Sequence, residues 1–217
     1  MTIGARPDLT ITAAVWSVPE AERAEALATR PLLVLMHGRG SHERDLASLI
    51  PLLPTESVVV SLRAPIPMGD GFSWFPPAEP GLPDPTDAAA ATDAVLAFLD
   101  ALPTTGQVGL LGFSQGGAMV TQLVRFAPER FAAGVVLSGF VLAGELPGDA
   151  ALATLRPPLF WGRDVADPVI VQSAIDRTAA WVSTHTTAVV REYPGVAHSI
   201  SREELDDVSE FLVATVL

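Results

Sequence analysis

The sequence predicts a mostly parallel central β-sheet flanked by helices, the α/β class, in a single domain that spans residues 1–217. Short apolar runs rich in β-branched residues alternate with longer Ala/Leu-rich segments of helical period, as expected of strands joined by crossover helices. Some of these runs are apolar without interruption, which is typical of strands buried on both faces. A chain of 217 residues with 49% hydrophobic residues can bury one core of this kind.

The strands follow from the hydrophobic pattern. Residues 9–18 alternate apolar and other side chains from Leu9 to Val15, which indicates an N-terminal edge strand. The later runs are continuous and indicate interior strands. They cover residues 32–36, 58–62, 108–111, 134–137, 158–161 and 188–190.

Helical signals lie between the strands. Residues 84–102 carry an apolar stripe, with Pro85 in the first turn, where the missing N–H has no cost. Residues 115–126 form a second helix that ends before a proline, and residues 169–182 form a third. The last helix opens on Ser201-Arg202-Glu203-Glu204, a capping-box pattern.

Gly112-Phe113-Ser114-Gln115-Gly116 matches the pattern G-x-S-x-G and lies between a predicted strand and a predicted helix. A nucleophile elbow requires this context, because its serine projects from a sharp strand-to-helix turn. The flanking glycines allow strand and helix to approach closely, and the helix N-terminus faces the developing negative charge. We predict that Ser114 is a nucleophile; an ordinary glycine-rich turn is the alternative.

The general base must be one of four histidines. In α/β-hydrolases the nucleophile comes first, then the acid, then the histidine, which leaves His185 and His198. His198 follows the last predicted strand, at the sheet edge where sites of open α/β sheets gather, whereas His185 lies between threonines and is expected to be solvated. The order and the position favour His198.

The acid must lie between Ser114 and His198, just beyond a strand. Asp164 and Asp167 both follow the run 158–161, and Asp167 also precedes a predicted helix, where it could serve as an N-cap. We favour Asp167 and keep Asp164 as the alternative. The acid would hold the imidazole of His198 in the required tautomer.

Two backbone N–H groups are needed for an oxyanion hole. The residue after the nucleophile, Gln115, should supply one. The other should come from the loop after strand 32–36, where Gly38 and Gly40 permit unusual backbone angles around Arg39. We predict the N–H of Arg39 as the second donor, with its guanidinium either solvated or bound to an acidic substrate.

With these residues assembled, the chain resembles the phospholipase/carboxylesterase family of small α/β-hydrolases, which includes the acyl-protein thioesterases. The matching stretches are residues 35–41, 63–65, 74–75, 112–117, 137–139, 167–169 and His198. The resemblance implies an α/β-hydrolase fold with an antiparallel second strand, little or no cap domain, no cofactor, and hydrolysis of carboxylic esters or thioesters.

The chain departs from that family at two places. The family's acid usually follows the pattern His-Gly-x-x-Asp, whereas Asp167 lies five positions after Gly162, so Asp164 stays open. Pro76-Pro77 stand where the thioesterases commonly carry an aspartate, which weighs against deacylation of lipidated proteins in particular.

Residues 64–85 follow neither period and are rich in Pro and Gly, but they hold large apolar side chains. An apolar loop of this length in a compact domain is usually functional, and a satellite cluster over the sheet is the alternative. We interpret parts of this loop, together with a residue after a neighbouring strand, as an acyl pocket. The predicted substrate-binding residues are Met68, Phe72, Trp74, Phe75 and Phe140.

Composition excludes several other functions. There is no cysteine, so thiol chemistry and disulfides are ruled out, and the histidines are too scattered to predict a metal site. The net charge of −12, with thirteen arginines and no lysine, would repel nucleic acid. No run is long enough to span a membrane and residues 1–8 lack the apolar core of a secretion signal, so we expect a cytoplasmic protein.

The predicted partner is a small-molecule ester, and an apolar patch near the site could serve a homodimer as easily as a lipid. The predicted activity is that of a serine hydrolase that forms an acyl-enzyme. Two other functions stay open: a non-catalytic binding protein on the same fold, and a peptidase with the same three residues.

Overall fold

The computed structural model describes residues 8–76 and 85–217. The strands are β1 (Ala14–Trp16), β2 (Leu32–Met36), β3 (Val58–Leu62), β4 (Ile66–Met68), β5 (Gly71–Ser73), β6 (Val108–Phe113), β7 (Ala133–Leu137), β8 (Pro158–Arg163) and β9 (Thr187–Glu192). The helices are α1 (Glu20–Thr29), α2 (Glu43–Ala47), α3 (Pro85–Asp100), α4 (Gln115–Phe126), α5 (Asp149–Leu155), α6 (Gln172–His185) and α7 (Arg202–Thr215). Within the described ranges, no helix has the length and apolar character that crossing a membrane requires.

A seven-stranded sheet forms the centre of the fold, in the order β1-β3-β2-β6-β7-β8-β9. β1 pairs antiparallel with β3, with Ala14 opposite Leu62, and the other neighbouring strands of this sheet are parallel. The predicted class, a mostly parallel sheet flanked by helices, is confirmed. The resemblance implies an antiparallel second strand. Here the antiparallel strand is β1, the first strand in the described part of the chain.

The strand order creates a crevice beside β2. From β2 the chain passes to β3 on one side, and β6 later pairs with the other side of β2. Loops that leave the carboxyl ends of β2 and β6 therefore diverge, and ligands of open α/β sheets bind at such a point. These loops contain Gly38-Arg39-Gly40 and Ser114, so the topology brings the two predicted glycine loops side by side.

Both faces of the sheet are covered. In β2, which is buried throughout, Leu32, Val34 and Met36 belong to a core that includes side chains of α1, α3, α4, α5 and α6. Leu33 and Leu35 point to the opposite face and share a core with α2 and α7. A strand that is buried on two faces needs apolar side chains at every position, which accounts for the continuous run.

Some elements differ from those predicted. β1 covers three of the ten residues predicted for the edge strand. β4 and β5 pair as a hairpin inside the segment predicted to be irregular, with Gly69 at a φ of +58° in the connecting turn. Asp84, the predicted start of α3, and residues 1–7 and 77–83 lie outside the described residues.

Three helices, α1, α2 and α5, were not predicted, and α6 begins later than expected. α1 follows Pro19 and has acidic residues in its first turn, a start signal that was present in the sequence. α5 has only seven residues, too few to show a helical period. α6 begins at Gln172 rather than at residue 169, because a turn stabilised by Asp167 occupies the residues before it.

Candidate active site

Ser114 lies on a sharp turn between β6 and α4. Its backbone has φ 54° and ψ −115°, a conformation that L-residues rarely adopt, and its side chain is half-buried. The N–H of Ser114 donates to the carbonyl of Leu137 at 2.8 Å, which ties the strained turn to the end of β7. Such strain persists only where the surrounding structure enforces it, and it concentrates at functional sites.

The glycines of the motif are required by close backbone contacts. A Cβ on Gly112 would lie 2.1 Å from the carbonyl oxygen of Gly116, and a Cβ on Gly116 would lie 1.9 Å from that of Met36. Both distances are far below van der Waals contact. Any larger residue would push α4 away from the sheet, so the pattern G-x-S-x-G here reflects packing of helix against strand.

His198 bridges Ser114 and Asp167. Its Nε2 lies 2.9 Å from Ser114 Oγ, and its Nδ1 lies 2.8 Å from Asp167 Oδ2. The carboxylate can only accept, so Nδ1 carries the proton and Nε2 is left free to accept from the serine hydroxyl. The imidazole packs against the ring of Phe113, with 4.9 Å between ring centroids.

Asp167 is buried at its side chain, which is 1% exposed. Its Oδ1 accepts hydrogen bonds from the N–H groups of Val169 at 2.7 Å and Ile170 at 3.1 Å. One oxygen therefore holds the turn before α6 and the other faces His198. The predicted N-cap role is wrong, because the N-cap of α6 is Val171, which makes no side-chain cap hydrogen bond. Asp167 instead stabilises the turn before the helix with one oxygen, which leaves the other oxygen for His198.

The alternative acid, Asp164, has other partners. Its Oδ1 accepts from the N–H of Ala166 at 2.8 Å and its Oδ2 from the N–H of Ala197 at 2.5 Å. These hydrogen bonds, the one from Ala166 first, lower the pKa of Asp164 below its ordinary value. Asp164 thus contacts the backbone of the histidine loop, and Asp167 contacts the histidine ring.

The loop after β2 is held from several sides. Gly38 is buried beside Ser114, and a Cβ placed on it would lie 3.6 Å from the Cβ of the serine. The N–H of Gly40 donates to Phe72 O at 2.8 Å, and Gly40 has a φ of +79°. Arg39, between these glycines, is exposed. This is the position at which a second oxyanion donor was predicted.

His37, which sequence reasoning did not assign to the site, supports that loop. Its buried ring accepts from the N–H of Ala64 through Nε2 at 3.1 Å, so Nδ1 carries the proton and donates to Gly38 O at 2.7 Å. Burial lowers the pKa of His37, which keeps the ring neutral. The carbonyl of Gly38 and the N–H of Arg39 belong to one planar peptide, so His37 orients both.

Gln115 contributes more than its backbone. Its side-chain oxygen accepts from the N–H of Trp74 at 2.9 Å and from Ser73 Oγ at 3.1 Å, and its Nε2 donates to Phe75 O at 2.8 Å. The N–H of Gln115 lies in the first turn of α4, where amides have no intrahelical acceptor. The side chain therefore secures the segment 73–75 while leaving the N–H at the site.

The predicted substrate-binding residues fall into two groups. Trp74 and Phe75 are buried at 0% and 3% exposure, and Trp74 Nε1 donates to the carbonyl of His37 at 2.8 Å. They have almost no surface to offer a substrate here, so their prediction as substrate-binding residues is wrong. Trp74 instead supports the loop after β2, and the carbonyl of Phe75 accepts from the side chain of Gln115. Met68, Phe72 and Phe140 are half-buried and keep free surface.

The other candidate base, His185, has partners outside the site. His185, expected to be solvated, is half-buried and stacks on Trp181 at 5.4 Å between ring centroids. Among residues 8–76 and 85–217, no three His, Asp or Glu side chains cluster in a way that could hold a metal ion.

Comparisons with known proteins point in one direction. A family model described as Phospholipase/Carboxylesterase matches residues 88–216. A probable carboxylesterase SOBER1-like of Arabidopsis thaliana is 28% identical over 200 residues, which cover 85% of this chain and 72% of that protein. An acyl-protein thioesterase 1 of Debaryomyces hansenii is 36% identical over 110 residues, 46% of this chain and 45% of that protein.

Solved structures agree on the fold. A carboxylesterase of Bacillus cereus superposes with a TM-score of 0.77 at 18% identity, covering 93% of both chains. The esterase PE8 superposes with a TM-score of 0.75 at 24% identity and covers 97% of this chain and 100% of that one. At these identities the likeness speaks for the architecture alone.

Proposed function

Because this chain belongs to the phospholipase/carboxylesterase family, we propose that it hydrolyses carboxylic esters with Ser114 as nucleophile, His198 as general base and Asp167 as orienting acid. It is an enzyme of the carboxylesterase or thioesterase type. The observation that carries the residue roles is the continuous hydrogen-bonded chain from Ser114 Oγ through both ring nitrogens of His198 to Asp167.

In the first half-reaction, Ser114 Oγ attacks the ester carbonyl while His198 Nε2 takes its proton. The carbonyl oxygen becomes an oxyanion, which the N–H groups of Arg39 and Gln115 stabilise in the crevice between β2 and β6. The positive end of the α4 dipole acts on the same charge. His198 then gives its proton to the departing alcohol or thiol, which leaves Ser114 acylated.

In the second half-reaction, water takes the place of the alcohol. His198 removes a proton from the water, the acyl-enzyme carbonyl passes through the same oxyanion, and the proton returns to Ser114 as the carboxylic acid leaves. Asp167 keeps Nδ1 protonated and stabilises the imidazolium that forms twice per turnover. The half-buried Met68, Phe72 and Phe140 would contact the acyl chain.

The test combines covalent labelling with turnover. A fluorophosphonate probe should label the folded protein at Ser114, and p-nitrophenyl esters and acyl thioesters should be hydrolysed. Ser114→Ala should abolish labelling, and Ser114→Ala or His198→Ala should each lower kcat by up to ~10⁶-fold.

Folded protein that neither labels nor turns over any ester would favour a non-catalytic binding protein and overturn the proposal. Faster turnover of matched anilides than of esters would instead assign a peptidase.

A further inference from the structure

Two carboxylates join the loop after β8 to the loop after β9. Asp164 and Asp167 each place one oxygen on backbone N–H groups of their own loop. Each places its other oxygen on the second loop: Asp167 on the ring of His198, and Asp164 on the N–H of Ala197. Ala197, whose N–H donates to Asp164, is the residue directly before His198.

Ala197 needs such a link because its backbone is strained. Its φ is 56°, in the left-handed region where a Cβ is unfavourable, and its side chain is exposed and so makes little contact that could compensate. The hydrogen bond to Asp164 at 2.5 Å is a charge-assisted bond to a carboxylate that is only 3% exposed. This bond opposes relaxation of Ala197 to an ordinary conformation, which would rotate the next residue.

We propose that Asp164 is a positioning residue for the reaction: it holds Ala197 in its strained conformation and thereby aims His198 at both Ser114 and Asp167. The inference rests on the proposed function of that site. Asp164 touches neither substrate nor the reacting atoms, and it acts through the backbone of the histidine loop.

The electrostatics of the loops support this role. The N–H groups of Ala166 and Ala197 lower the pKa of Asp164, and those of Gly195 and Val196 add to the effect. Asp164 therefore remains a carboxylate over the pH range in which a histidine titrates, and the hydrogen bond that it accepts from the N–H of Ala197 stays charge-assisted in that range.

Asp164→Ser separates the two hydrogen bonds of the carboxylate. The shorter hydroxyl can still accept from the N–H of Ala166 in a local turn but cannot reach Ala197. Because a displacement of about 1 Å in a catalytic group can cost about 100-fold, we expect kcat to fall about 10- to 100-fold, with KM changed by less than about twofold. Asp164→Asn keeps the shape of the side chain but offers only one acceptor oxygen, so its kcat should also be lower than that of the wild type.

Asp149→Asn is the matched control. Asp149 also accepts a backbone N–H, that of Leu146, and pairs with Arg125, but it lies at the start of α5. It should lower the melting temperature and leave kcat per active site unchanged. Fluorophosphonate titration counts the competent sites in every variant, so loss of folded protein is not mistaken for loss of rate.

A double-mutant cycle gives the second readout. If Asp164 acts by aiming His198 at Asp167, Asp164→Ser should cost much less in an Asp167→Asn background than in the wild type, since neighbouring groups in one network are not additive. A merely structural carboxylate would give additive losses.

Unchanged kcat in both Asp164 variants, additive losses, or failure of both variants to fold would overturn the proposal. Ser114→Ala separates this outcome from failure of the proposed function, because it abolishes turnover whatever Asp164 does.

Discussion

The ring nitrogens of two histidines show how a side chain's partners decide its task. His198 has one nitrogen on a carboxylate and the other on a hydroxyl, so it can gain and lose a proton while keeping its orientation. His37 has one nitrogen on an N–H and the other on a carbonyl, and burial lowers its pKa, so its proton is fixed. The first arrangement suits proton transfer and the second suits support of a loop.

Asp167→Asn should lower kcat by about 10⁴-fold with the fold intact, because the amide N–H₂ would face Nδ1 and favour the tautomer whose Nε2 cannot accept from Ser114. The measurement is kcat on p-nitrophenyl acetate at neutral pH. Asp206→Asn is the control, since Asp206 pairs with Arg202 on the exposed face of α7. A loss of less than about tenfold would contradict the assignment of the acid.

His37→Gln should lower kcat by about 10- to 100-fold, less than the ~10²–10³-fold expected when an oxyanion donor is removed outright. The side-chain oxygen of glutamine can still accept from the N–H of Ala64, but its amide nitrogen is bonded to the same carbon and does not stand where Nδ1 of the imidazole does. The donation to Gly38 O is therefore lost, and the peptide that carries the N–H of Arg39 is less constrained. Steady-state kinetics against His185→Gln, whose ring lies on Trp181, provide the comparison. Equal kcat in the two variants would show that His37 does not orient this peptide.

At the scale of elements, the packing of α4 against β2 and β6 leaves no room for a side chain at Gly112 or Gly116. α4 packs so closely on the sheet that a Cβ on Gly116 would lie 1.9 Å from the carbonyl oxygen of Met36. Shifting this helix would move the N–H of Gln115 and the turn at Ser114 together, so stability and activity should fail at once.

Gly116→Ala should destabilise the protein by more than about 3 kcal/mol, a size typical of severe backbone overlap. Urea denaturation followed by circular dichroism would measure the free energy of unfolding. Gly144→Ala is the control: a Cβ there meets nothing within 4 Å, but a φ of +90° adds strain of about 1–2 kcal/mol. Similar losses in both variants would mean that the helix can move without cost.

The contrast between α4 and the supporting hydrogen bonds shows what a sequence can predict. β2, β6 and the elbow at Ser114 depend on neighbours along the chain, so apolar runs and glycine spacing predict them. The side chain of Gln115 binds residues 40 to 42 positions away, and Asp164 binds a backbone N–H 33 positions away. No local period encodes such partners.

Trp74 shows the same limit in another form. Its aromatic character predicts burial or binding equally well, and only the position of His37 O, which accepts from its indole N–H, decides for burial. The hairpin of β4 and β5 was missed because three-residue strands are too short to establish an alternation. Asp167 was favoured over Asp164 from its place after a predicted strand and before a predicted helix, which is a local signal.

At the scale of the whole molecule, one buried carboxyl couples folding to pH. Glu204 on α7 is 1% exposed, and its Oε1 has no hydrogen-bond partner. Burial raises the pKa of Glu204 from 4.5 to about 7, against a hydrogen bond from the N–H of Ser201, with Asp207 adding to the rise. Its folded form holds a proton that the unfolded chain releases at lower pH.

Stability should therefore fall as pH rises from about 4.5 to about 7 and should not change further from this group above that range. Glu204→Gln cannot ionise, so its free energy of unfolding should exceed that of the wild type at pH 8 by on the order of 3 kcal/mol and match it at pH 4. Denaturation at both pH values tests this. The neighbouring Glu203 is exposed, and Glu203→Gln should show no such difference; a parallel response of the two variants would contradict the prediction.

The sequence separation of the site residues has a kinetic consequence. Ser114 and His198 lie 84 positions apart, and β8 and β9 must join the edge of the sheet before the loops that carry Asp167 and His198 can meet the turn of β6. Contacts of high sequence separation form late, because the chain entropy of closing long loops must be overcome first. During refolding from denaturant, ester hydrolysis should thus return after the helical circular dichroism signal. The recovery of activity would then measure the last step of folding.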